Sequence, residues 1–177
     1  MRIRTSLAVA LFASAALAET HSWEGRRVFL EDASGERLHI ATLSGTALGY
    51  AVAMNEAVFT DHFLSMRPFK CLNGSEKTWC HVPYPYAIKR QTAGDLIDLE
   101  YDFLFVWKGL TDYGIDMWNG VYYRLAPEGD RFVGHLHEMN MDILAVPPAE
   151  GVLRPIRAVD LEASEPESHW LPRLVIE

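Results

Sequence analysis

The segment His135-Leu136-His137-Glu138-Met139-Asn140-Met141 carries the ligand types of a soft-metal site. Side chains alternate along a strand, so His135, His137, Met139 and Met141 would project from one face, each about 7 Å from the next. Two imidazoles two residues apart can share an ion, and thioether sulfur biases the set toward copper as Cu(I). Packing is the favoured reading of the same four residues, with methionine filling apolar gaps and the histidines nearer a polar end. The opposite set, Leu136, Glu138, Asn140 and Asp142, is the more polar, so either reading turns the His/Met face inward.

Cys80-His81 places a thiol beside an imidazole, the pairing that activates cysteine nucleophiles. Neighbours on a strand point to opposite faces, however, and Cys71 offers Cys80 a disulfide instead. Asp98, Glu100 and Asp102 could act as acid/base carboxylates or hold a hard cation, but alternating acids are also what keeps the wet face of an antiparallel strand soluble. The solvated face is the expectation. Pro83-Tyr84-Pro85-Tyr86 is extended and poor in hydrogen-bond donors, and its tyrosines Tyr84 and Tyr86 offer flat amphipathic surface suited to a ligand lip. No Gly-x-Ser-x-Gly, His-Glu-x-x-His or glycine-rich phosphate loop occurs, so no catalytic residue is assigned and binding is favoured over turnover.

The elements that position these residues read as short strands. Apolar stretches rich in β-branched and aromatic residues recur between Gly, Pro, Asn and Asp, the pattern of an all-β domain of about eight strands. Arg27 to Glu31, the turn Asp32-Ala33-Ser34-Gly35 and Glu36 to Leu43 form a hairpin. Further strands are expected at Tyr50 to Met54, within Val58 to Met66, around Phe69 to Cys71, and at Thr78 to Val82. The strongest alternation runs from Ile97 to Trp107, with Leu99, Tyr101, Phe103 and Phe105 on a core face. Val121 to Leu125 and Arg131 to Met139 flank Pro127-Glu128-Gly129-Asp130 as a second hairpin. Leu153 to Leu161 suggests one more strand, and Trp170 to Ile176, which contains Pro172, an edge segment. A single small antiparallel barrel or a two-sheet sandwich accommodates this pattern. Trp23 near the start favours a barrel lipocalin-like in outline, although Trp23-Glu24-Gly25 reverses the Gly-x-Trp order of lipocalins.

Arg2 and Arg4 precede an apolar run from Leu7 to Leu17 that closes on Ala16-Leu17-Ala18, the form of a secretory signal peptide cleaved after Ala18. The mature domain would be 19–177, exported to the periplasm or secreted. Loss of Arg2 and Arg4 takes the formal charge from −8 to −10, which argues against nucleic acid and anionic membrane as partners. An exported chain with two cysteines predicts a Cys71–Cys80 disulfide. A two-residue turn at Asn73-Gly74 would instead oppose Cys71 to Glu76; Pro68 disfavours that tight ladder. The functional expectation is a β-domain that takes a small apolar or aromatic ligand and needs no cofactor. Periplasmic copper handling through His135, His137, Met139 and Met141, or an assembly module without a ligand, are the alternatives. Oligomeric state is left open.

Overall fold

Asp32 makes the first turn, its Oδ1 accepting from the amides of Ser34 and Glu36 and from the Ser34 hydroxyl, while Gly35 takes the positive φ of 88° that the turn requires. The strands it joins are β1 (Arg27–Glu31) and β2 (Arg37–Thr46). In this computed structural model, which describes residues 21–63 and 68–177, they open one curled antiparallel sheet. The expected signal peptide, residues 1–18, lies outside the described residues. The other strands are β3 (Gly49–Met54), β4 (Thr60–Phe63), β5 (Pro68–Asn73), β6 (Lys77–His81), β7 (Phe105–Gly109), β8 (Gly120–Glu128), β9 (Arg131–Met139), the short β10 (Glu162–Ala163) and β11 (Arg173–Ile176).

Strand order along the sheet is β3-β2-β1-β11-β9-β8-β7-β6-β5-β4, with β10 pairing β9 off this path. Nearly every strand neighbours its neighbour in sequence, and β11 returns to close against β1, so the connectivity is that of an up-and-down barrel. β3 and β4 stand at the two ends of the path although only Asn55–Phe59 separates them, and no ladder joins them among the described residues. The barrel is therefore a half-barrel with an open seam.

The inside of the curl holds the larger core, which includes Trp23, Val28, Leu30, Ile40, Leu43, Leu72, Trp79, Phe105, Val121, Tyr123, Leu136 and Leu174. Trp23 is wholly buried, its ring against Phe132 and its indole N–H donating to Thr92 Oγ1 at 2.8 Å. The opposite face of β5 to β9 carries a second core of Cys71, Cys80, Val106, Tyr122 and Met139, covered by Tyr101, Leu104, Met141, Leu144 and Ile156. Two buried faces explain why Val121, Tyr122 and Tyr123 run apolar without alternation.

The expected disulfide is present: Cys71 and Cys80 face each other across β5 and β6. The register leaves Gly74 to Lys77 as the turn, and Gly74 is obligatory because a Cβ there would meet the Trp170 ring at 2.4 Å. Four expectations are corrected. Residues Ile97–Tyr101 form a short helix, α1, and only Phe105 onward is strand. Leu99 of α1 and Phe103 of the turn that follows it reach the inner core, whereas Tyr101 reaches the outer core. Asp98 and Glu100 are consequently buried rather than solvated, and each is met by distant groups. Arg154 Nε donates to Asp98 at 2.6 Å, and the Tyr122 hydroxyl and Leu125 amide donate to Glu100. Leu153 to Leu161 forms no strand but a covering segment ending in a 3₁₀ turn, and β11 is central rather than at the edge, with Pro172 just ahead of it.

Candidate functional site

Beside the open seam lies a cleft of about 320 Å³, lined by β3 at one end of the sheet path and by β5 and β6 toward the other. β3 contributes Val52 and Met54, which share a face by the two-residue period, and the β3–β4 connection contributes Glu56 and Phe59. Lys70 of β5 and His81 of β6 form the opposite side. Pro83, Tyr84, Arg90 and Asp102 complete the wall from the segment that leaves β6 and returns through α1. That segment is tied to β3 by the Tyr50 amide donating to the Arg90 carbonyl.

Arg90 is, among the described residues, the single non-glycine with positive φ, at 53°. Holding a side-chain-bearing residue there costs on the order of 1 kcal/mol, a kind of strain that concentrates at binding and catalytic sites. What holds it is the Tyr50 amide and a forked interaction with Asp102, Arg90 Nη2 donating to Oδ1 at 2.9 Å and Nε lying 3.3–3.4 Å from the two oxygens. Tyr50 donates its hydroxyl to Asp102 Oδ2 at 2.8 Å. Burial, and then the facing Asp102 carboxylate, push the Tyr50 phenol above its ordinary range, so it remains a donor. Lys70 is paired with Glu56 at 3.3 Å and Asp61 at 3.0 Å. Both cations of the cleft thus already face carboxylates.

His81 differs. Its Nε2 donates to the Asp102 carbonyl at 2.9 Å, and its ring packs against Phe105. Burial lowers its pKa, outweighing the bond to Asp102, so the imidazole is neutral at neutral pH. With the proton on Nε2, Nδ1 is a bare acceptor without a partner among the described residues. As the alternation of a strand requires, Cys80 points to the other face and into the disulfide.

Tyr84 belongs to the cleft wall, its hydroxyl donating to the Leu153 carbonyl at 2.9 Å. Tyr86 stands behind it, ring to ring at 5.6 Å, and donates to the Leu144 carbonyl, so it buttresses the wall. Met139 ends β9 and Met141 begins a 3₁₀ turn; both lie in the outer core. His135 is exposed, and His137 Nδ1 contacts the His135 carbonyl at 3.0 Å. No group of three His, Cys, Asp or Glu side chains that could hold a metal occurs among the described residues.

A second cavity, about 360 Å³, is lined by His135, His169 and Arg173 together with Glu165, Glu167 and Pro166 of the acidic connector. Its one deeply buried titratable group, His169, is held at both nitrogens by Glu138 and Lys77. Among the described residues the buried polar atoms without a partner are His62 Nε2, the Trp79 and Trp107 indole N–H groups and Arg173 Nε; Arg173 lines this second cavity, where its Nη2 pairs with Glu31 at 2.7 Å, and none of the four belongs to the cleft. The seam cleft is thus where an apolar wall, a strained residue and an unengaged polar atom coincide. Arg90 and Tyr50 carry no sequence signal for it. Asp102 falls on the strand face expected to be solvated, because its partners lie 12 and 52 residues away. No protein-family model matches the chain, and comparison with curated proteins and with solved structures returned no match.

Proposed function

We propose that this protein is a binding protein for a small, predominantly apolar or aromatic molecule, and that the ligand enters the cleft at the open barrel seam. One observation carries the reading: Val52 and Met54 of β3, the strand at one end of the sheet path, and Tyr84 of the segment that leaves β6 form an apolar wall beside the edge of β3 that a closed barrel would pair. A cleft of about 320 Å³ with apolar walls and a few placed polar groups has the make-up of small-molecule sites. The disulfide, which fixes β5 to β6 beside this wall, accords with export from the cytoplasm. Among the described residues no helix is long and apolar enough to cross a membrane.

The test is titration with the neutral fluorescent probe N-phenyl-1-naphthylamine. One saturable site is expected. Val52→Trp, which fills the cleft, should weaken it at least tenfold, whereas Val159→Trp, at a surface position 81% exposed, should not. An absence of saturable binding, or equal affinity in Val52→Trp at unchanged thermal midpoint, would overturn the reading.

A further inference from the structure

Every ionised side chain that lines the seam cleft already has an opposite charge beside it: Arg90 has Asp102, and Lys70 has Glu56 and Asp61. An anionic ligand would have to displace one of these carboxylates, and a cationic ligand would have to displace Arg90 or Lys70. Tyr84 has spent its hydroxyl on Leu153. His81 Nδ1 is left as an acceptor on a ring that forms part of the wall, because Nε2 is committed to the Asp102 carbonyl. A polar atom left unpaired when a ligand excludes water is costly, so a cleft built this way selects for a group that can donate to it.

We infer that the ligand is a neutral aromatic or apolar molecule bearing one hydroxyl or N–H group, read by His81 Nδ1 while its apolar body lies against Val52, Met54, Phe59 and Tyr84. His81 is in this sense the specificity-determining residue of the seam cleft, an assignment that rests on the binding function proposed above. The Asp102 carbonyl acts through it, by fixing which nitrogen carries the proton. Asp102 therefore serves twice: its carboxylate neutralises Arg90, and its carbonyl sets the His81 tautomer.

Three probes with one bicyclic body separate the outcomes: 1-naphthol, which donates; 1-methoxynaphthalene, which cannot; and 1-naphthoate, which is anionic. The variant is His81→Gln, whose side-chain amide can keep a donor near the Nε2 position and so retain the bond to Asp102 while losing the Nδ1 acceptor. Parent protein should bind 1-naphthol about tenfold or more tightly than the ether, in line with the loss of one buried hydrogen-bond partner. His81→Gln should bring the two to within about twofold, with ether affinity unchanged. Equal binding of naphthol and ether by the parent, or a preference that survives in His81→Gln, would overturn the donor assignment while leaving the binding cleft intact. Tightest binding of 1-naphthoate would overturn it in favour of readout by Arg90. Binding of none of the three would remove the proposed function itself.

Discussion

His81 and His169 are both sunk into the fold and both neutral, yet they are held in opposite ways. His169 donates from Nε2 to Glu138 Oε1 at 2.6 Å and accepts at Nδ1 from Lys77 Nζ at 3.4 Å, with the rings of Trp79 and Trp107 each 5.8 Å away. Lys77 is fixed in turn by the Ser168 carbonyl and by the Trp107 face, 4.2 Å from its centroid. This chain of donors, Lys77 to His169 to Glu138, uses both nitrogens for structure. His81 uses one. Burial and a perturbed pKa are common to the two residues, so neither property identifies a site; what separates them is the hydrogen-bond position that His81 leaves unspent on the cleft wall.

The comparison is sharpest in stability. His169→Ala removes the centre of the chain, empties the space between two tryptophans and strips Lys77 and Glu138 of a partner. A loss of about 3 kcal/mol is expected from the cavity and the broken bonds together. His81→Gln, which keeps the link to Asp102, should cost about 1 kcal/mol or less. Chemical denaturation of the two variants measures both. Equal costs would mean that His81 is as structural as His169 and would take away the distinction on which the site rests.

Acid should act on both. Burial lowers each imidazole below the ordinary histidine value of 6.5, overcoming the Asp102 carbonyl at His81 and the Glu138 carboxylate at His169, where Lys77 lowers it further. The unfolded chain then binds more protons than the folded one below pH 6.5, so stability present above that value is lost as pH falls through it, by at most about 1.4 kcal/mol per pH unit for each histidine. Denaturation free energies at pH 7.5, 6.5 and 5.5 should decline. The decline should be shallower in His169→Gln and in His81→Gln, and a flat parent profile would show that neither imidazole is kept neutral by burial.

Much of this arrangement was legible in the sequence, and the divide follows the range of the interactions. The β1–β2 and β8–β9 hairpins are set by local turn residues, Asp32 to Gly35 and Gly129-Asp130, and both were readable. The disulfide followed from two cysteines in a chain whose first residues have the form of an export signal. Ile97 to Trp107 misled because Leu99 and Phe103 satisfy a two-residue and a four-residue spacing equally. What decides between them is Arg154, Tyr122 and Leu125, which draw Asp98 and Glu100 inward from 22 to 56 residues away. The cleft was illegible for the same reason. Tyr84 could be named as a lip from its prolines, but Arg90, Asp102, Tyr50 and His81 become a site only when β3 and β6 are brought to the two sides of one seam.

Glu100 gives the finest test, because it is a buried carboxyl that resembles His169 in being fully engaged but titrates with the opposite sign. Burial raises its pKa above the ordinary 4.5, against the lowering effect of the bonds from Tyr122 and Leu125. Between 4.5 and that raised value the folded state holds a proton that the unfolded state has released, so this group's contribution diminishes as pH rises, whereas those of the histidines grow. Glu100→Gln keeps a carbonyl for the Leu125 amide and places an NH₂ beside the Tyr122 oxygen, while removing the cost of a buried charge. The variant should match or exceed the parent by up to about 1 kcal/mol at pH 7.5, and the gain should shrink toward pH 4.5. A variant less stable than the parent at pH 7.5 would mean that Tyr122 and Leu125 hold Glu100 as a carboxylate. In that case Glu100, like Asp98 with Arg154, would be held by its donors for structure, whereas His81 Nδ1 on the cleft wall keeps an unspent hydrogen-bond position.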